Sequence, residues 1–256
     1  MTHAIGMVLR NFKETLQITI LPGLFGISAL FLLAWITGSF EAVWNVLTAP
    51  NQGQGSNVIQ TPAFGVVLIL LLVWIVISAW ILVSWHRFIL LEERPQGWVP
   101  PLRADRLAFY IGQVFVLCIP MVIGFIPYGM LIFVLGDLVG DLGFVVMIVV
   151  TIVYVVAMML AFARLSVTLP AQAIGAELTL EGAWKATGGS TATLIVLGVA
   201  NALFQFFLQF LFQGFALIPM AGPLLLLIPS ILFVPLVNAS ILTTLYGIYV
   251  EGRSLS

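Results

Sequence analysis

A chain of 256 residues that is 62% apolar and only 7% charged, with a mean hydropathy of +1.19, cannot keep its surface in water, because a soluble domain carries about 25% charged residues. Its net charge of -1 offers no basic field for nucleic acid. The single cysteine, Cys118, excludes an intramolecular disulfide and a cysteine-cluster metal site, and its apolar neighbourhood reads as that of a buried small hydrophobe. Composition alone therefore describes an integral membrane protein, and the apolar segments along it make the expectation an all-α, polytopic one forming a single transmembrane domain over residues 1–256.

A helix crossing the ~30 Å hydrocarbon core needs roughly 20 apolar residues. Six segments reach that length, at about 18–40, 63–85, 108–135, 143–163, 191–217 and 222–248. The first is preceded by "AIGMVLRNFKETLQ", where Ile5, Leu9, Phe12 and Leu16 fall on one helical face and Arg10, Lys13, Glu14 and Gln17 on the other. The spacing predicts an amphipathic lead-in lying in the headgroup layer. The segment at 18–40 is too long for a signal-peptide core and no small-residue cleavage site follows it, so it is read as a retained span. The second span ends in "WHRFILLEERPQGW", and a second lead-in, "PPLRADRLAFY", opens the third. This lead-in is read either as a flat helix or as the end of a long tilted span.

Pro120 and Pro127 share a face of the third span, and each interior proline frees a carbonyl and bends its helix. The fourth span exits through "FARLSVTLPAQAIGAEL" into a third lead-in, "LTLEGAWKATGG", where Thr179 is placed to cap a helix whose first turn carries Glu181. Lead-in, span, turn and returning span thus occur three times in parallel orientation. The fifth span carries Asn201, Gln205, Gln209 and Gln213 at four-residue intervals, and the sixth carries Asn238 between Pro235 and the chain end. An amide stripe in lipid would be costly. It is expected to face protein as a helix seam with Asn238 as partner, a polar cavity lining being the alternative.

All nine basic residues fall on one side of six spans, and the intervening turns of the other side carry none. By the positive-inside rule both termini are cytoplasmic. Arg10, Lys13, His86, Arg87, Arg164, Trp184 and Lys185 lie near span ends and are the expected headgroup or interface contacts. No Asp, Glu, Lys, Arg or His falls near the middle of a span, and His3 and His86 have no metal-ligand spacing. No catalytic cluster, metal site or cofactor motif is expected.

The stretch "FARLSVTLPAQAIGAELTLEGAWKATGG", with Arg164, Pro170, Gly175 and the Ala183-Trp184-Lys185 segment, resembles bacterial inner-membrane proteins of the YciC type. It is also similar to the membrane domain fused to some glycerophosphodiester phosphodiesterases. The likeness covers the whole chain in plan and about 28 residues in pattern. It implies six spans with lead-in helices in a bacterial inner membrane. The soluble catalytic barrel of the phosphodiesterases has no counterpart here, so no catalytic residue is carried over. The resulting expectation is a non-enzymatic scaffold or accessory component packing against membrane lipids or another integral membrane protein. A carrier or lipid conduit, using the amide stripe and the kinked third and sixth spans, is the alternative.

Overall fold

A computed structural model describes residues 2–41, 64–138, 140–216 and 233–254. Every regular element among them is helical. That outcome follows from composition, since in hydrocarbon a helix satisfies its own backbone hydrogen bonds.

Helix α1 (Thr2–Arg10) breaks at Asn11, whose side-chain amide donates to Met7 O at 2.8 Å, and α2 (Phe12–Ile36) follows. α1 does not present the expected face to lipid as a unit. Its Ala4 and Val8 are buried where it packs on the last helix, while Leu9 and Phe12 remain more than half exposed. Two buried hydroxyls tie the corner together: Thr15 donates to Val8 O and Thr19 to Thr15 O.

Helix α3 spans Phe64–Leu91 and α4 spans Ala104–Leu138. α4 begins at Ala104 and runs on through Pro120 and Pro127 without a break. The second lead-in is therefore the end of a long helix, about 50 Å at 1.5 Å per residue, which outruns the hydrocarbon core. α5 covers Gly140–Leu165 and is continued after a short break by α6, Thr168–Ile174. Gly175 ends α6 in the left-handed region at φ 85, and its N–H returns to Ala171 O at 2.9 Å. The left-handed φ is what favours glycine there; the Arg106 guanidinium that a Cβ would meet is the end of a flexible side chain and can move aside. The third lead-in is helix α7 (Leu180–Ala186), with Thr179 Oγ1 accepting from Gly182 N at 3.0 Å as its cap.

A 3-10 turn, Gly188–Ser190, leads into α8 (Thr191–Ala216), and α9 is described over Val234–Tyr249. Among the described residues five helices are apolar and long enough to cross a membrane: Phe12–Ile36, Leu68–Leu91, Ala104–Gly136, Gly143–Ile174 and Gly188–Gly214. The first part of the expected sixth span, residues 222–232, lies outside the described residues, as do residues 42–63 and 217–221.

α2 packs on α3, α4 on α5, and α8 on α5. α9 instead lies among α1, α3 and α6. Helix by helix, the basic side chains gather at one end of the bundle, where α3, α5 and α9 finish and α2, α4 and α8 begin. That basic end holds nearly all the buried side chains, among them Val8, Ile18, Trp85, Val167, Leu194, Leu236 and Val237. Towards the far end α4, α5 and α8 expose large apolar residues on most of their surface, including Phe125, Phe133, Val149, Val153, Phe206 and Phe210.

Candidate functional site

The polar side chains that this oily chain buries form one layer just inside the basic end. α3 contributes Trp85 and His86 in succession, both 0% exposed. α9 faces them with Ser240 and Thr243, one turn apart. Trp85 Nε1 donates to Ser240 Oγ at 3.0 Å, and Ser240 Oγ donates to Leu236 O at 2.7 Å. His86 Nδ1 lies 2.8 Å from Thr243 Oγ1, which itself donates to Ala239 O at 2.8 Å. Since the Thr243 proton is committed to its own helix, the oxygen accepts from the ring, and this assigns the His86 proton to Nδ1. His86 Nε2 is then the acceptor that faces the Tyr110 hydroxyl of α4, at a long 3.5 Å.

The same device recurs between α4 and α6. Gln113 Nε2 donates to Thr168 Oγ1 at 2.8 Å, and Thr168 Oγ1 donates to Leu165 O at 2.8 Å. In each case a hydroxyl turned back on its own helix offers its lone pair to a neighbour, so two helices are joined with no buried group left over.

The sequence placed His86 among the headgroup contacts. The structure corrects this: the ring is wholly enclosed by α3, α4 and α9 and reaches Thr243 and Tyr110 instead. Arg87, the next residue, is also largely enclosed, its side chain 15% exposed and tied into an ion-pair cluster. Its Nη2 pairs with Glu93 Oε2 at 2.6 Å and its Nη1 donates to Ala173 O at 3.2 Å, while Arg103 Nη2 holds the other Glu93 oxygen at 2.7 Å. Partial burial raises the Glu93 carboxyl, but the hydrogen bonds from Arg103 and Arg87 and their charges prevail and hold it below the ordinary value.

Arg10 and Lys13 are exposed, Arg10 folding back on Gly6 O at 3.3 Å. Lys185, 74% exposed, pairs with Glu181 at 2.6 Å. Arg164 is different, being 8% exposed. Its guanidinium stacks on Trp184 at 4.6 Å and donates to Thr191 Oγ1 at 2.6 Å.

Beneath the polar layer, towards the far end, an apolar cleft of about 280 Å³ separates α4 from α9. Tyr110, Leu117 and Met121 form one wall, Pro235 and Leu242 the other, with Asn238 at its edge. Cys118, which an apolar neighbourhood suggested would be buried, is exposed beside this cleft.

The amide stripe divides. Gln205 Nε2 donates to Asn238 Oδ1 at 3.3 Å, joining α8 to α9. Asn201 is half-buried and its Oδ1 has no hydrogen-bond partner. Gln209 and Gln213 are exposed, between the exposed Phe206 and Phe210 and the end of the helix. Sequence reasoning missed the hydroxyls of Ser240, Thr243 and Thr168 altogether. The signal was present as a polar rhythm in "NASILTTLYG", but back-bonded hydroxyls are compatible with lipid and carry no pattern of their own.

Length, apolarity and all-helical architecture together make this an integral, multi-pass membrane protein. No protein-family model, curated protein or solved structure matches the chain.

Proposed function

We propose that this protein is a non-enzymatic accessory component of a bacterial inner membrane, with six spans and both termini cytoplasmic, that docks on another integral membrane protein through the outer face of α8. The observation carrying this reading is the exposure of Gln209 and Gln213 on a helix whose other exposed side chains include Leu203, Phe206 and Phe210. Gln209 is the nineteenth residue of α8, about 27 Å from its start at 1.5 Å per residue. That depth is within the hydrocarbon of a ~30 Å core once the basic end is set in the headgroups. Leucine is used freely elsewhere in the chain, and an amide held there against acyl chains is disfavoured. An amide on a partner helix satisfies it.

The orientation rests on the nine basic residues sharing one end. The internal polar layer supports a static rather than a transporting role, because its hydroxyls and ring nitrogens are mutually committed. A photoreactive amino acid placed at Gln209 in intact membranes is expected to give a discrete protein adduct, and Gln209→Leu to reduce co-purification of that partner without unfolding the chain. Adducts with lipid alone would reject the reading.

A conduit for a lipid chain is the second reading. The cleft between α4 and α9 favours it, being apolar, open and edged by Asn238. Its mark is a lipid retained in stoichiometric amount and lost on Leu117→Trp, which fills the cleft.

A further inference from the structure

Arg164 is in the last turn of α5, where the carbonyl end of the helix favours a cation. The first residue of α8 lies against the same guanidinium: Arg164 Nη2 reaches Thr191 Oγ1 at 2.6 Å and Gly188 O at 3.4 Å. The start of α8 carries about half a positive charge of its own, which opposes the arginine and cancels what α5 offers. Among the described residues no carboxylate pairs with Arg164, and the nearest acid on α7, Glu181, is engaged by Lys185 at 2.6 Å. Arg164 is more than nine-tenths buried and its Nε has no hydrogen-bond partner. A full charge is thus largely withdrawn from solvent with no carboxylate beside it, an arrangement that a bound anion would complete.

The surroundings are open where an anion would sit. Thr191, Ala192 and Thr193 begin a helix of 26 residues directly after the 3-10 turn and are exposed, and the first amides of a helix find no partner further along it. The two hydroxyls best placed to cap them are turned away, Thr187 donating to Ala183 O and Ser190 to Thr187 O. Gly188 and Gly189 are exposed, and a Cβ on either would meet nothing within 4 Å. Trp184 is 44% exposed and forms one side, its ring over the guanidinium.

We propose that the start of α8, with Arg164 and Trp184, binds one phosphate-bearing anion. The guanidinium and the first-turn amides supply donors suited to phosphate oxygens, and an amphipathic residue such as Trp184 suits the headgroup level. The ligand is either the phosphodiester of an anionic lipid or a free phosphate ion, since both present the same oxygens.

The test uses the full chain in phosphatidylcholine nanodiscs, titrated separately with phosphatidylglycerol and with inorganic phosphate. Native mass spectrometry counts retained lipid and thermal unfolding reports phosphate. Preferential retention of phosphatidylglycerol identifies a lipid site; a rise in unfolding temperature with phosphate alone identifies a free-ion site. Gly189→Asp sets a carboxylate at the site in open space and is expected to weaken either anion about tenfold, whereas Gly189→Asn, of equal size and uncharged, binds nearly as the parent does. Arg164→Gln is expected to lose binding as well; should it fail to fold, the pair at position 189 still decides. Binding of neither anion, or equal binding by Gly189→Asp and Gly189→Asn, overturns the proposal.

Discussion

The two ends of this bundle are built from the same oily residues and solve different problems. At the basic end helices meet on several sides, so Trp85, Leu194, Leu236 and Val237 have no exposed surface to speak of, and the Trp85 and His86 ring nitrogens find hydroxyl partners on α9 and α4. At the far end α4, α5 and α8 touch few neighbours, and Phe133, Phe206 and Phe210 stay about 70% exposed. Hydrocarbon solvates such side chains as well as a protein interior does, so hydrophobicity alone does not close the far end. What closes the basic end is geometry: short α1, α6 and α7 fill the spaces between helix termini, and hydrogen bonds across helices fix their positions. Specific structure in this protein is carried by its rare polar groups.

The sharpest way to break that contrast is to cut the same kind of side chain at each end. Trp85→Ala removes a wholly enclosed ring and is expected to destabilise by roughly 3–5 kcal/mol, whereas Phe206→Ala should lie within about 0.5 kcal/mol. Thermal unfolding of both variants in nanodiscs checks this, and similar losses would erase the distinction. Next in size is the His86–Thr243 contact. Thr243→Val strands the buried Nδ1–H and should cost about 1–3 kcal/mol. Adding His86→Leu to that variant should recover part of the loss, a coupling that a double-mutant cycle measures directly.

A smaller effect separates the two halves of the amide stripe. Gln205→Leu gives up the bond to Asn238 and is expected to lose only about 0.6 kcal/mol. Gln209→Leu should leave the isolated chain as stable as before, its consequence appearing only in partner binding. Smallest is the acid response of the Arg87–Glu93–Arg103 cluster. Because the folded Glu93 carboxyl is held below its ordinary value near 4.5, its contribution is complete above that value and is lost as pH falls through the lower, folded value. Unfolding midpoints followed from pH 6 downward should therefore show a slope that Glu93→Gln reduces.

Much of the far end was legible in the sequence, because length and apolarity suffice to draw a span in hydrocarbon. The cap at Thr179 was legible too, since capping is a matter of three or four adjacent residues. The polar layer was not. "WHRF" reads as an interfacial edge because its sequence neighbours include charges, yet Trp85 and His86 are enclosed by hydroxyls 155 and 157 positions away. Cys118 failed the same way in reverse: apolar neighbours in sequence say nothing about which face of α4 meets protein. The Gln205–Asn238 pair could be anticipated by asking where an amide in lipid finds a partner, but that argument does not tell which of the four amides is used. Periodicity locates a helix, and only packing locates its faces.

One end of the molecule is a closed protein interior and the other a surface of exposed apolar side chains suited to the bilayer. Spin labels on single cysteines, in a Cys118→Ala background, test it most directly through collisions with membrane-dissolved oxygen. Labels at Phe206 and Phe210 should collide freely in the isolated chain, and labels at Val237 and Thr243 should be shielded. Equal oxygen access at the two ends, or shielding of positions 206 and 210 in the absence of any partner, would contradict the account.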